Sequence, residues 1–345
     1  MFSIVVPVWN KRPLIERTIA GVRAQSFRDF ELILVDDGST DGSLAAVGEG
    51  VPGRTRILRQ ANCGPGPARN AGIAVARGDW IAFLDADDIW LPDHLAELDR
   101  LRRARPDAGL IATSFLETDR DGRFAEPVAG AGKIGTIDYF ARQAGGHPTF
   151  TTSSSAVSKR VVAALGGFGS ARICQDLEYW ARIALDWPVA TSTRVTVAYR
   201  RGTGGICDSL KSPWVGRELR DARDLLAPVD MLIGRYPAIA SAETRRSVDA
   251  YIDRCFTWCV RASALIGDVE TMRVLPRLYL RPPPLADRAL LALARLPRPV
   301  AWLSFRLAWR AKRLLRPLLP GLFRPAPAFR EPGSAVAGRP TRAGG

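Results

Sequence analysis

Three aspartates, Asp85, Asp87 and Asp88, fall within four positions. Adjacent like charges repel, and each raises the pKa of the others. A chain tolerates this on a solvated loop or where a cation neutralises the charge. Taken alone, the run is equally a turn and helix cap ahead of Pro92. The strand-like residues 80–84 directly before it add a second point. Hard oxygen ligands at a strand end suit Mg2+ or Mn2+, ions that also bind substrate phosphates. Asp36 and Asp37 repeat the arrangement after residues 31–35, again with a turn and cap as the plain alternative. Asp176 begins an amphipathic stretch. It reads as an ordinary N-cap or as a carboxylate kept ionised by a helix N-terminus. Gly64-Pro65-Gly66-Pro67-Ala68-Arg69-Asn70-Ala71-Gly72 is a glycine-rich approach to a helix. It lacks the Gly-Lys-Ser/Thr end of a phosphate loop and the Gly-x-Gly-x-x-Gly fingerprint, which excludes an ATPase and a conventional dinucleotide fold. Arg69 fits a phosphate clamp or a surface salt bridge.

These residues need elements to hold them. Residues 2–8, 31–35, 56–58 and 80–84 have the apolar, β-branched character of strands. Pro13 opens a helical pattern with Leu14, Ile15, Ile19 and Val22 on one face, and residues 67–76 form a second, alanine-rich helix. The alternation predicts an α/β fold with a mostly parallel central sheet flanked by helices. In open sheets of this kind the ligand crevice lies beyond the carboxyl ends of the strands, so both acidic loops can meet at one site. After Leu110 the pattern loosens. Residues 152–157 predict a strand, followed by a helix ending at Gly166-Gly167-Phe168. Residues 176–186 predict a helix burying Leu177, Trp180, Ala181, Ala184 and Leu185, and residues 194–199 another strand. Residues 214–275 read as helical and carry no identifiable site chemistry.

The pieces also occur in a familiar order. Ser3-Ile-Val-Val-Pro-Val-Trp-Asn10 resembles the opening strand of glycosyltransferase family 2. Residues 25–41, ending Val35-Asp36-Asp37-Gly38-Ser39-Thr40-Asp41, resemble its second block. Asn62-Cys63-Gly64 with Ala68-Arg69-Asn70-Ala71-Gly72 resembles its third. Residues 76–88, continued by Trp90 and Pro92, resemble its fourth. Gln175-Asp176 followed by Trp180 and Arg182 resembles the acceptor-side block. The likeness covers about residues 2–205. It implies a GT-A fold and an inverting transfer from a nucleoside-diphosphate sugar to an acceptor hydroxyl, with Mn2+ or Mg2+ as cofactor. By the same resemblance, Pro7 and Val8 line the nucleoside pocket through backbone, and Asp37 with Asp36 contacts the base. Arg69 faces the diphosphate. Asp85 contacts the ribose or the metal, Ala86 belongs to the same nucleotide-sugar-binding loop, Asp87 binds the metal, and Asp176 is the catalytic base. The family often has Glu-Asp where this chain has Gln175-Asp176. It often carries a His after the strand at 195–199, where this chain reads Tyr199-Arg200-Arg201-Gly202, so Arg200 or Arg201 substitutes there by charge.

Charge divides the chain unevenly. The 345 residues carry a net +14, of which +13 lies after residue 270, where 15 Lys/Arg face 2 Asp/Glu. The expected organisation is a catalytic domain at 1–210, a helical extension at 211–275, a basic amphipathic segment at 276–330 and a disordered tail at 331–345. A helix over 300–316 would place Leu303, Leu307, Ala311 and Leu314 opposite Arg306, Arg310 and Arg313, the pattern of an interfacial helix on anionic membrane. The plain alternative is a helix packed on the domain with a solvated basic face. No recognition motif for nucleic acid accompanies the charge, so none is expected as a partner. Five cysteines without a Cys-x-x-Cys pair argue against a disulfide framework, with Cys255 and Cys259 as two small core residues one helical turn apart. Residues 1–8 read as a strand rather than a signal peptide, and no run of 18 uncharged apolar residues predicts a membrane span. The expected location is cytoplasmic, peripheral on the inner face of the membrane through the basic segment. The expected acceptor is a carbohydrate or a lipid-linked sugar in cell-envelope glycan assembly. A catalytically inactive nucleotide-sugar-binding scaffold and a basic nucleic-acid-associated protein are the competing functions.

Overall fold

The computed structural model describes residues 1–119, 121, 132–146, 150–171, 173–203, 225–277, 282–283, 285–297, 299–301 and 303–305. The expected disordered tail and the arginines Arg306, Arg310 and Arg313 lie outside them. The first four strands are β1 (Phe2–Val8), β2 (Phe30–Asp36), β3 (Thr55–Arg59) and β4 (Trp80–Phe83). They run parallel in the order β3-β2-β1-β4, with Ile4 facing Leu32 on one side and Ala82 on the other. This is the half of the sheet that hydrophobic patterning predicts.

Beyond β4 three antiparallel strands enter a sheet whose other strands share one direction, the mostly parallel arrangement expected. The short β5 (Ile89–Trp90) is followed by β6 (Leu110–Thr118), β7 (Ile134–Ile137), β8 (Ser155–Ser158) and β9 (Val189–Arg200). β8 lies antiparallel between β4 and β6, β9 runs parallel to β6, and both β5 and β7 pair antiparallel with β9. The start of β8 and the end of β9 therefore reach the same edge as the carboxyl ends of β1, β2 and β4. Residues 152–157 also depart from expectation. Thr152–Ser154 is a 3-10 turn, and the strand begins only at Ser155.

Alternation along β1 and β2 places side chains into two cores, one on each face. Val5, Ile33 and Val35 join Phe83 and Trp180 on one side, while Ile4, Val6, Leu32 and Leu34 join Ile15, Ile19 and Leu98 on the other. The second face is covered by α1 (Arg12–Arg23) and α4 (His94–Ala104), with the short α2 (Ser43–Val47) beside α1. The first is covered by α3 (Pro65–Val75) and α7 (Gln175–Asp186). Gly72 of α3 rests so close to β1 that an added Cβ would meet Val5 Cγ1 at 2.5 Å, so a side chain there would push the helix off the sheet. In α7, Tyr179 and Ile183 are fully buried with Trp180 and Ala181, whereas Leu177, Ala184 and Leu185 are half-buried. The helix is thus rotated from the predicted face.

The remaining helices are α5 (Tyr139–Ala144), α6 (Lys159–Leu165), α8 (Ala227–Arg235), α9 (Ala242–Ile266), α10 (Val269–Val274) and α11 (Leu285–Leu293). The core of α8 and α9 is continuous with the first face, through Val229 and Leu232 and through Tyr251, which meets Tyr139 edge to face at 5.9 Å. Cys255 and Cys259 are buried in this core, and burial pushes the Cys255 thiol up to about 12. Residues 299–301 and 303–305 are helical, with Ala301 and Phe305 buried and Leu303 exposed. No described helix is long and apolar enough to cross a membrane.

His94 opens α4 fully buried against Trp90, its Nδ1 2.7 Å from Thr196 Oγ1. Burial lowers its pKa to about 3. The unfolded imidazole titrates near 6.5, so stability is full above that pH and falls as pH drops toward 3, by about 1.4 kcal/mol per unit. At pH 5 His94 should account for a loss of about 2 kcal/mol relative to neutral pH. Urea unfolding at pH 7.5 and 5.0 should show that loss in the wild type and a flatter dependence in His94→Gln. Equal losses in both proteins would remove His94 as the cause.

Candidate active site

The acidic loop emerges where β4 ends. Leu84 N still reaches Val5 O at 3.1 Å, and the chain then turns away. Ser153, in the 3-10 turn before β8, gathers the loop beneath it. Its Oγ accepts from Asp85 N at 3.0 Å and donates to Asp88 Oδ2, and its carbonyl accepts from Trp90 Nε1 at 2.6 Å. Asp88 is buried and accepts a further bond from Arg200 N at 3.0 Å. Burial, with Asp87 and Asp85 alongside, pushes its carboxyl well above the usual carboxylate range. Asp88 is therefore the structural member of the trio. Asp85 and Asp87 stay partly accessible, with side-chain exposures of 29% and 16%.

Three basic groups face these carboxylates. Arg69 of α3 is buried, stacked 5.2 Å over the Phe168 ring and 2.5 Å from Asp85 Oδ1, an inward position rather than the surface bridge that local sequence suggests. Lys11, at the turn into α1, places Nζ 2.7 Å from Asp87 Oδ2, which also accepts from Thr203 Oγ1 at 2.8 Å. Arg200 ends β9 and runs inward under the loop. Its Nε donates to Asp87 O, and one terminal nitrogen reaches Leu14 O and Thr18 Oγ1 at 3.1 and 3.2 Å. Burial lowers the Arg200 pKa, against the opposing pull of Asp87 and Asp88. Arg201 points elsewhere, pairing with Glu117 at 2.5 Å over the Tyr199 ring. Of the two arginines after the strand, Arg200 is the one at the site.

Pro7, Val8, Asp36 and Asp37 form the neighbouring wall. Val8 O accepts from Asp37 N at 2.8 Å and from Ser39 Oγ at 3.3 Å. Asp36 Oδ1 accepts from Ser39 N at 2.9 Å, closing a turn that needs Gly38 at φ +76°. Asp37 is buried, and its two oxygens accept from Gln60 Nε2, Cys63 N and Gly64 N at 2.7–2.9 Å. It thereby ties the end of β2 to the loop that enters α3. Asn10 and Cys174 are non-glycine residues in the left-handed region, at φ +51° and +58°. One turns the chain off β1 and the other precedes α7, so both flank the site, where such conformations tend to collect.

Asp176 occupies the first turn of α7, one position inside Gln175, while Cys174 is the N-cap. The local N-cap reading is thus corrected by two residues. Its Oδ1 accepts from Leu177 N at 2.9 Å and its Oδ2 from Thr152 Oγ1 at 3.1 Å. Thr152 and Ser153 are adjacent. One short turn therefore bonds to Asp176 with one residue and to the Asp85–Asp88 loop with the next. Sequence reading missed Lys11, Thr152, Ser153 and Thr203. The signal for two of them was present, because Thr151-Thr152-Ser153-Ser154-Ser155 is a run of five hydroxyls where a buried strand was expected.

Among the described residues no three His, Cys, Asp or Glu side chains converge on one metal position. Asp85 and Asp87 instead offer two hard carboxylates, partly accessible and at a strand end. That set fits a divalent ion completed by diphosphate oxygens and water, the usual coordination of Mg2+ at phosphate sites, rather than a preformed protein cage.

Residues 3–165 match the family described as Glycosyl transferase family 2. Residues 3–165 form a family 2 glycosyl transferase domain. The matched region includes the acidic loop, Arg69 and the 3-10 turn, and ends ten residues before α7. The chain is 41% identical over 99 residues to an uncharacterized glycosyltransferase of Nostoc sp., covering 28% of this chain and 31% of that protein. It is 40% identical over 99 residues to the succinoglycan biosynthesis protein ExoW of Rhizobium meliloti, covering 27% and 31%. The alignments thus span about a third of the length of these relatives. The fold extends further. The structure of TarS from S. aureus, in complex with UDP-GlcNAc, covers 90% of this chain and 91% of its own, with a TM-score of 0.51 at 15% identity. The mannosyltransferase PcManGT from Pyrobaculum calidifontis, in complex with GDP-Man and Mn2+, covers 91% and 86%, with a TM-score of 0.54 at 19% identity. The glycosyltransferase fold is thus of the GT-A type.

Proposed function

We propose that this chain transfers a sugar from a nucleoside-diphosphate sugar to an acceptor hydroxyl with inversion, and that the acceptor is a growing glycan, free or lipid-linked. The observation that carries the reading is the Thr152–Ser154 turn. Through Ser153 it supports the acidic loop, and through Thr152 it supports Asp176. The donor side and the acceptor side of the reaction thereby share one rigid support.

The nucleoside half of the donor lies along Pro7, Val8 and the loop organised by Asp36 and Asp37. Its diphosphate meets Arg69, which is held flat by Phe168 and Asp85. As the glycosidic bond breaks, negative charge builds on the leaving phosphate oxygen, and Arg69 stands fixed beside it without having to reorganise. Asp87, with Asp85, would hold a divalent ion, which supplies Lewis-acid stabilisation of the same charge. On the opposite side Asp176 accepts the proton of the attacking hydroxyl. The Thr152 hydroxyl, donating to Oδ2, keeps the carboxylate oriented. The relative ExoW, named for succinoglycan biosynthesis, supports a polysaccharide as the product.

The reading is tested by thermal shift across a panel of nucleoside-diphosphate sugars with Mn2+. A donor at 100 times its Kd should stabilise the fold by about 2.7 kcal/mol, several degrees in Tm. No shift with any uridine or guanosine donor would contradict it.

A further inference from the structure

The three basic groups around the acidic loop differ in their freedom. Arg69 is buried, stacked on Phe168 and paired with Asp85. Arg200 is buried and tied to Asp87 O, Leu14 O and Thr18 Oγ1. Neither can leave without breaking several contacts. Lys11 is different. Its backbone is anchored, with N donating to Ser43 Oγ at 2.8 Å and O accepting from Leu14 N and Ile15 N. Its side chain is 18% exposed and pairs with Asp87 Oδ2 at 2.7 Å. A compact ammonium on a four-carbon stem can swing while its backbone stays fixed.

The same Asp87 carboxylate is the natural ligand for the divalent ion of the proposed reaction. An ammonium at hydrogen-bond distance and a divalent ion cannot share one carboxylate oxygen without strong repulsion. We infer that Lys11 is a placeholder cation: it neutralises Asp87 when no donor is bound, competes with the divalent ion, and swings from Asp87 toward the donor diphosphate when ion and nucleotide arrive together. The inference rests on the metal reading of Asp87 given above. It makes the ion and the nucleotide bind cooperatively. The diphosphate gives Lys11 a second acceptor, which frees Asp87 for the ion, and by linkage the ion favours the nucleotide equally.

Calorimetric titration of Mn2+ into the full chain, with and without UDP or GDP, tests this. In wild type, Mn2+ alone should bind weakly and nucleotide should strengthen it. Lys11→Met should bind Mn2+ alone at least tenfold more tightly, and the strengthening by nucleotide should shrink by a comparable factor. Lys11→Arg keeps the charge and should stay near wild type. Should Lys11→Met fail to fold, Lys11→Gln keeps a polar end and carries the same expectation. Mn2+ affinity in the neutral variant within twofold of wild type, while Asp87→Ala still abolishes Mn2+ binding, would overturn the placeholder role and leave the metal reading intact. No Mn2+ binding by any variant, with or without nucleotide, would overturn both.

Discussion

Asp87→Ala should lose the Mn2+-dependent part of UDP or GDP binding altogether, an effect of at least about a hundredfold in affinity if the ion bridges protein and diphosphate. The loop itself should survive. It is Asp88, not Asp87, that is buried and bonded to Ser153 and to Arg200 N. Asp87 loses only its contacts to Lys11 and Thr203 at the rim, and a partly exposed pair of this kind is worth about 1 kcal/mol or less. Nucleotide titrations with and without Mn2+ separate the two effects. Unchanged Mn2+-dependent affinity in a folded variant would remove Asp87 from the metal site.

Asp176→Asn should lower the rate of transfer by roughly 10²–10⁴-fold, the usual contribution of a general base. The amide keeps the size of the carboxylate: its oxygen can still accept from Leu177 N while its NH2 donates to Thr152 Oγ1, reversing that bond, so the start of α7 should hold its shape. It cannot take a proton from an acceptor hydroxyl. Donor binding should persist, because the carboxylate is bonded to the support turn and to its own helix rather than to Arg69 or the acidic loop. The expected signature is a collapse of kcat with donor Kd nearly unchanged. Transfer within threefold of wild type would remove Asp176 as the base.

The parallel half of the fold was legible because β1, β2 and β4 are buried on both faces. Such strands read as short apolar runs, and residues 2–8 match β1 residue for residue. The acidic loops were legible for the same reason, since charge directly after a buried run has few places to go except a crevice. The second half was not. β8 lies antiparallel between β4 and β6, and β9 adds parallel to β6, an order that no local pattern encodes, and β7 and α5 lie in a stretch where the pattern had loosened. The 3-10 turn was hidden because its hydroxyls, Thr152, Ser153 and Ser154, are all buried, and burial is a tertiary fact. Lys11 was hidden because it is 76 residues from Asp87 in sequence. The division of labour inside the carboxylate clusters was equally out of reach. Asp37 and Asp88 prove to be buried struts of their loops, whereas Asp85 and Asp87 keep partial access, and only packing distinguishes them.

The central claim is an inverting transfer in which Asp176 deprotonates the acceptor directly. The most direct measurement is the anomeric configuration of the first-formed product, read by early-time proton NMR before mutarotation, with a donor found to bind and water or a simple glycan as acceptor. An α-linked donor should yield the β product in wild type and almost none in Asp176→Asn. An α product would contradict inversion and, with it, the role assigned to Asp176.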